Sequence, residues 1–207
     1  MADFINTLDA LGDDVVMNSI IDRTITEYKD DAVTKIGKYA FYGCTALSVV
    51  DVPNVEYVGD NAFYNCPITS FSFENVTTLG GGAFTFGQLV SVALPKITDL
   101  GYDVFRSCTP LTMADMPIVK RIYNSAFRYT NLTTLLLRAD TVVTLNNTGT
   151  FGGTPLASGT GYIYVPRALV DSYKTATNWS TYAAQFRALE DYTVDGTTTG
   201  ELDESKI

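Results

Sequence analysis

The sequence predicts an α/β fold: one solenoid of about six stacked copies of a short unit, with a parallel sheet and helical caps at both ends. Three observations predict it. Phe41, Phe63, Phe84, Phe105, Phe127 and Phe151 are separated by 22, 21, 21, 22 and 24 residues, and a fixed period of this size marks a repeat architecture. An aliphatic residue stands five positions before the Phe in five copies (Ile36, Val58, Leu79, Leu100, Ile122) and six before it in the last (Leu145), while Leu or Ile follows by five or six. Each copy then ends in an alternating run, such as Val50 with Val52, Phe71 with Phe73, or Val92 with Leu94. Alternation marks a strand with one buried face, and strands about twenty residues apart return in the same direction, which makes the sheet parallel. A single copy cannot cover its own apolar face, so copies stack at about 4.8 Å.

In chain order, residues 1–32 read as a helical cap. Asp3 caps a short helix through Leu11, and Asp13 or Asp14 caps a second through Ile21, with Val15, Val16, Ile20 and Ile21 facing the first copy. ITEYKDDAV is an entering strand and turn. Residues 33–166 hold the six copies, in which Gly37, Gly59, Gly80 and Gly101 are expected at a tight bend and Pro53, Pro95, Pro117 and Pro166 close strands. Residues 167–190 form the second helical cap: Pro166 starts a helix running to about Thr177, and Trp179 seals the end. Residues 191–207 form an acidic flexible tail.

The first four copies read IGKYAFYGCTALSVVDVP, VGDNAFYNCPITSFSF, LGGGAFTFGQLVSVALP and LGYDVFRSCTPLTMADMP. This order of IG, AF, C, L and a strand ending VP resembles the BspA-like class of leucine-rich repeats over residues 33–166, and LVDSYKTATNWSTYAAQF resembles the helical cap that often follows the last repeat. The departures are Gly87, Thr130 and Thr154 in the Cys column and the insertion LASGTGY. The resemblance implies a right-handed leucine-rich-repeat solenoid and a surface-displayed binding or adhesion module of the kind found in bacteria, some protists and phage-associated genes.

The formal charge of −9 resides at the ends: residues 1–31 carry eight acids and two bases, and residues 190–207 six acids and one base. The remaining stretch is close to neutral and offers no basic patch for a nucleic-acid backbone. No run approaches the roughly 20 apolar residues of a membrane span, and MADFINTLDALGDD lacks the features of a secretory signal. The expected settings are a chain starting after a cleavage site, a cytoplasmic protein, or a protein that leaves the cell within an assembled phage particle. Extracellular, cell-surface or virion display fits the resemblance.

With no histidine in the sequence, the commonest general base and metal ligand is missing, so neither a Ser-His-Asp nor a Cys-His arrangement is available. Carboxylate pairs are limited to Asp99 with Asp103 and Asp51 with Asp115, which read better as solvated acids. No spacing among Asp13, Asp14, Asp30 and Asp31 resembles a calcium loop. No catalytic residue, metal or cofactor is expected. Cys44 and Cys66 share a column in adjacent copies, a placement that permits a disulfide, but buried thiols are favoured because Gly and Thr fill the column elsewhere.

The resemblance implies partner binding on the outward sheet positions, here Val49 and Asp51, Ser70 and Ser72, Ser91 and Ala93, Met113 and Asp115, Thr134 and Leu136, Tyr162 and Tyr164. Met113, Leu136, Tyr162 and Tyr164, with Asp115 beside them, are expected to form a platform for a sugar ring or a protein loop. The competing expectation is that the cap or the inserted loop covers them. A second cluster, Tyr42, Tyr64, Arg106 and Arg128, follows the Phe column. The leading functional expectation is non-enzymatic recognition of a protein or glycan on another cell or matrix. The rivals are a structural spacer or assembly subunit and, third, a carboxylate hydrolase.

Overall fold

The computed structural model describes residues 23–191, so the expected N-terminal helices and nearly all of the tail lie outside the described residues. Two parallel ladders run along the solenoid. The outer one holds β1 (Glu27–Lys29) beside β3 (Val49–Asp51), and a five-stranded sheet in the order β13 (Phe186–Ala188), β12 (Tyr162–Val165), β10 (Thr134–Leu137), β8 (Met113–Met116), β6 (Ser91–Ala93). The second consists of two-residue strands: β2 (Lys35–Ile36), β4 (Tyr57–Val58) and β5 (Thr78–Leu79), then β7 (Asp99–Leu100), β9 (Arg121–Ile122) and β11 (Thr144–Leu145). Phe71 and Phe73 belong to no strand. Their rings pack against Phe63 and Phe84 at 5.5 and 5.4 Å, and the bulk of two phenyl groups where other copies carry smaller residues holds the backbone off the ladder.

A third wall is made of turns. Phe41, Phe63, Phe84 and Phe105 each donate their N–H to the following copy, at Ala62, Ala83, Val104 and Ala126, over 2.8–2.9 Å. Side chains repeat the device: Asn54 and Asn75 donate to the carbonyls of Asp31 and Pro53, and Thr112 and Thr133 to those of Val90 and Thr112. Inside, the six Phe rings form one column with centroids 5.1, 5.3, 5.8, 5.7 and 5.9 Å apart, an offset-stacking range in which aromatic pairs add to simple burial.

The bend expected at Gly59 and Gly80 lies elsewhere. Left-handed backbone falls two residues before and two residues after the Phe: Tyr39, Asn61, Gly82, Asp103 and Ser125 in one column, Gly43, Asn65, Phe86, Ser107, Tyr129 and Gly153 in the other. Gly59 and Gly80 answer a different demand. A Cβ on them would stand 2.5 Å from the Lys38 nitrogen and 2.3 Å from the Asp60 nitrogen, so the missing side chain permits adjacent backbones to approach.

In place of one helix running to about Thr177, the C-terminal segment holds short helical pieces and a strand. A 3-10 turn (Arg167–Leu169) leads into α2 (Val170–Thr175), which follows the earlier single-turn α1 (Pro155–Ser158); a second 3-10 segment (Trp179–Gln185) leads into β13. Ala176 turns extended and ends α2. Phe186 and Ala188 are buried around an exposed Arg187, the alternation that seats β13 in parallel on β12. Trp179 is buried against Phe151 and donates to the Val143 carbonyl at 2.6 Å, while the Tyr173 hydroxyl accepts the Val143 N–H. Asn178 donates to the Leu145 carbonyl. Side chains thus satisfy the polar edge of β11 that a further strand would otherwise occupy.

Candidate functional site

Register on the outer sheet sets the candidate side chains in two rows. Ser91, Met113, Thr134 and Tyr162 are in line, as are Ala93, Asp115, Leu136, Tyr164 and Arg187. The expected platform forms only in part. Tyr162 is 42% exposed, whereas Leu136 is 0% exposed, and Met113 and Tyr164 are half-buried. Leu136 lies in register between Asp115 and Tyr164, and Arg138, just past the end of β10, reaches Asp115. With no exposed surface, Leu136 is unavailable to a partner.

Asp115 is likewise drawn in. Arg138 grips it with a two-pronged fork, Nε to Oδ1 at 3.1 Å and Nη2 to Oδ2 at 2.7 Å, the geometry in which an Arg–carboxylate pair is strongest. Nothing in the local pattern of β10 marks Arg138 for this role; it follows from register. Arg187 was missed for a similar reason, since its segment reads as helix. In β13 it faces outward, its guanidinium carbon stands 4.4 Å from the centroid of the Tyr162 ring, and Nη1 donates to the carbonyls of Ala184 and Phe186. The Tyr162 and Tyr164 rings meet edge to face at 6.4 Å.

The other candidates fall apart as sites. Asp99 meets Arg121 at 3.2 Å and Asp103 meets Arg106 at 3.6 Å, so each acid has its own base. Asp51 is aligned with Lys29 rather than Asp115. Asp30 accepts the Ala32 N–H, and Asp13 and Asp14 lie outside the described residues. Among the described residues no group of three acids or cysteines is placed to hold a metal. Cys44, Cys66 and Cys108 are buried free thiols. Burial pushes Cys66 and Cys108 up to about 12, far from a nucleophile's range.

The turn wall carries the second cluster. Tyr42 and Tyr64 stack at 4.7 Å, and Phe86, absent from the expected set, meets Tyr64 at 5.4 Å nearly at right angles. Phe86 is 45% exposed with φ 61°, a strained setting for a bulky residue; its column holds Gly, Asn or Ser in four other copies, so column analogy hid it. Arg128 covers Tyr129 at 4.8 Å in the same wall. A notch of about 380 Å³ between β11 and the C-terminal segment is lined by Val142, Leu145, Asn146, Asn178 and Trp179, but Asn178 and Trp179 spend their donors on β11.

Residues 18–135 match the family described as a BspA-type leucine-rich repeat region, in six copies. Among solved structures, the chain is similar to a leucine-rich repeat protein from Bacteroides ovatus at 19% identity and a TM-score of 0.43, with 69% of this chain and 40% of that one covered. The chain therefore spans less than half the length of that protein. No curated protein matches it.

Proposed function

Because this chain belongs to the BspA-type leucine-rich repeat family, whose repeats serve as interaction modules, we propose that it is a non-enzymatic recognition module that engages a protein or a glycan through the outer face of its repeats. One observation carries the reading: Tyr162, large and amphipathic, stands open on the sheet face beside Tyr164 and under the Arg187 guanidinium. Tyr and Arg are the residue types that dominate binding energy at protein surfaces. The absence of histidine from the sequence and the pairing of Asp99, Asp103 and Asp115 with arginines support a non-enzymatic role. Right-handed winding, the usual hand of parallel crossovers, with helical segments closing the ends, belongs to the same proposal. So does display on a cell surface or virion, with neither nucleic acid nor a bilayer as partner. Among the described residues no helix is long and apolar enough to cross a membrane.

The spacer reading has an observation of its own: Leu136 and Asp115, the centre of the expected platform, are closed off. A glycan array together with immobilised matrix proteins decides between the two. Binding that disappears in Tyr162→Ala/Tyr164→Ala, with unchanged melting, establishes recognition; silence across both collections favours the spacer.

A further inference from the structure

We infer that the outer sheet face takes a carboxylate-bearing sugar, a hexuronate or sialate unit of a glycan, with Arg187 holding the carboxylate and Tyr162 packing against the ring. This rests on the recognition reading and gives it a ligand class. Among the described residues Arg187 has no acidic partner, and the acids that follow it in sequence are engaged elsewhere: the Glu190 carboxylate accepts the Arg167 N–H at 3.0 and 3.2 Å, and Asp191 is ion-paired with the Arg167 guanidinium. The Arg187 guanidinium is nevertheless fixed in place, by two backbone carbonyls through Nη1 at 2.9 and 2.8 Å and by the Tyr162 ring beneath it. Nε and Nη2 are left over, and these two nitrogens form the fork that matches a carboxylate. Holding the cation in advance lowers the entropy lost on binding.

The row beside the cation suits a sugar. Arg187 covers Tyr162 from the β13 side, and on the other side of β12 the residue in register with Tyr162 is the small Thr134, followed by Met113 and Ser91. The electron-rich face of an aromatic ring attracts the C–H groups of a pyranose. Ser91 is exposed and Thr134 half-buried in this row, and each hydroxyl both donates and accepts, as sugar hydroxyls do. An extended peptide fits less well: this row lies inside a sheet whose backbone groups are already paired from β6 to β13, so a peptide's own N–H and C=O groups would find no ladder there.

The test is a binding titration of the full chain with oligosaccharides containing galacturonate, glucuronate or sialate, each beside its methyl ester, and with a Glu-rich peptide. At least one acidic sugar is expected to bind tenfold or more tightly than its ester. Arg187→Gln, with unchanged melting, is expected to bring the acid down to the ester's level and leave the ester unaffected, while Tyr162→Ala weakens both. Equal affinity for acid and ester, undiminished binding in Arg187→Gln, or equal Arg187-dependent binding of the peptide overturns the sugar assignment. Binding of a matrix protein through Tyr162 with no sugar bound also overturns it, yet leaves recognition standing. Silence of every probe, proteins included, removes both.

Discussion

Asp115 and Leu136 occupy equivalent outward positions on neighbouring strands, yet both are buried, and a single arginine two residues beyond Leu136 takes up the acid. The Arg138 fork neutralises Asp115, so the acid serves the sheet rather than a ligand. Buried polar groups of the core tell a similar story. The Cys66 and Cys108 thiols donate to the carbonyls of Phe41 and Leu89 at 3.0 and 3.5 Å, and burial pushes both up to about 12, as it does the Tyr173 phenol. In the unfolded chain a thiol titrates at about 8.5. Between that pH and about 12 the unfolded state loses protons that the folded state keeps, so stability falls as pH rises. Denaturant melts are expected to show full stability from these groups below about pH 8 and a progressive loss up to pH 12. A thiol reagent at pH 8 is expected to label none of the three cysteines until the protein unfolds.

A copy combines a turn wall with a two-residue strand and, except where Phe71 and Phe73 stand, an outer strand, and it is joined by contacts to the copies on either side. Phe84 is the midpoint of the ring column: it stacks on Phe63 and Phe105 and receives the edges of Phe71 and Phe73. Phe84→Ala is expected to cost about 3 to 5 kcal/mol, the range for a buried aromatic whose cavity does not collapse. A melting curve identical to that of the parent would show that the column does not bear on stability. The glycine columns follow from the same stacking. Gly80 sits where the backbone of the preceding copy leaves no room for a Cβ, whereas the left-handed positions accept Asn61, Ser107 and even Phe86 and Tyr129. The period of the Phe and aliphatic columns was legible because every copy needs the same inward residues. The purpose of the glycines was not, because a bend and a close approach call for the same residue.

For the whole molecule, the parallel ladders join neighbouring copies, so stability spreads along the solenoid from one copy to the next. The C-terminal end is held by Trp179 against Phe151 and Val143, and by β13 on β12. Trp179→Ala is expected to loosen the structure from that end: hydrogen exchange should rise in β11 and β12 well before it rises in β4. Uniform loss of protection would instead mark a single cooperative unit.

The repeat, the parallel sheet and the Phe column are legible in the residues because inward positions recur with a period that no packing detail alters, and the burial of Trp179 is legible because a lone large aromatic after the last copy has an apolar end to cover. Tertiary structure alone decided which outward residues stay open. Tyr162 remains accessible and Leu136 does not, β13 supplies Arg187 from a segment that reads as helix, and Arg138 crosses to Asp115. Each of these depends on which residue lies opposite in register, one copy away or beyond the last copy, and a local pattern of apolar and polar residues does not encode that distance.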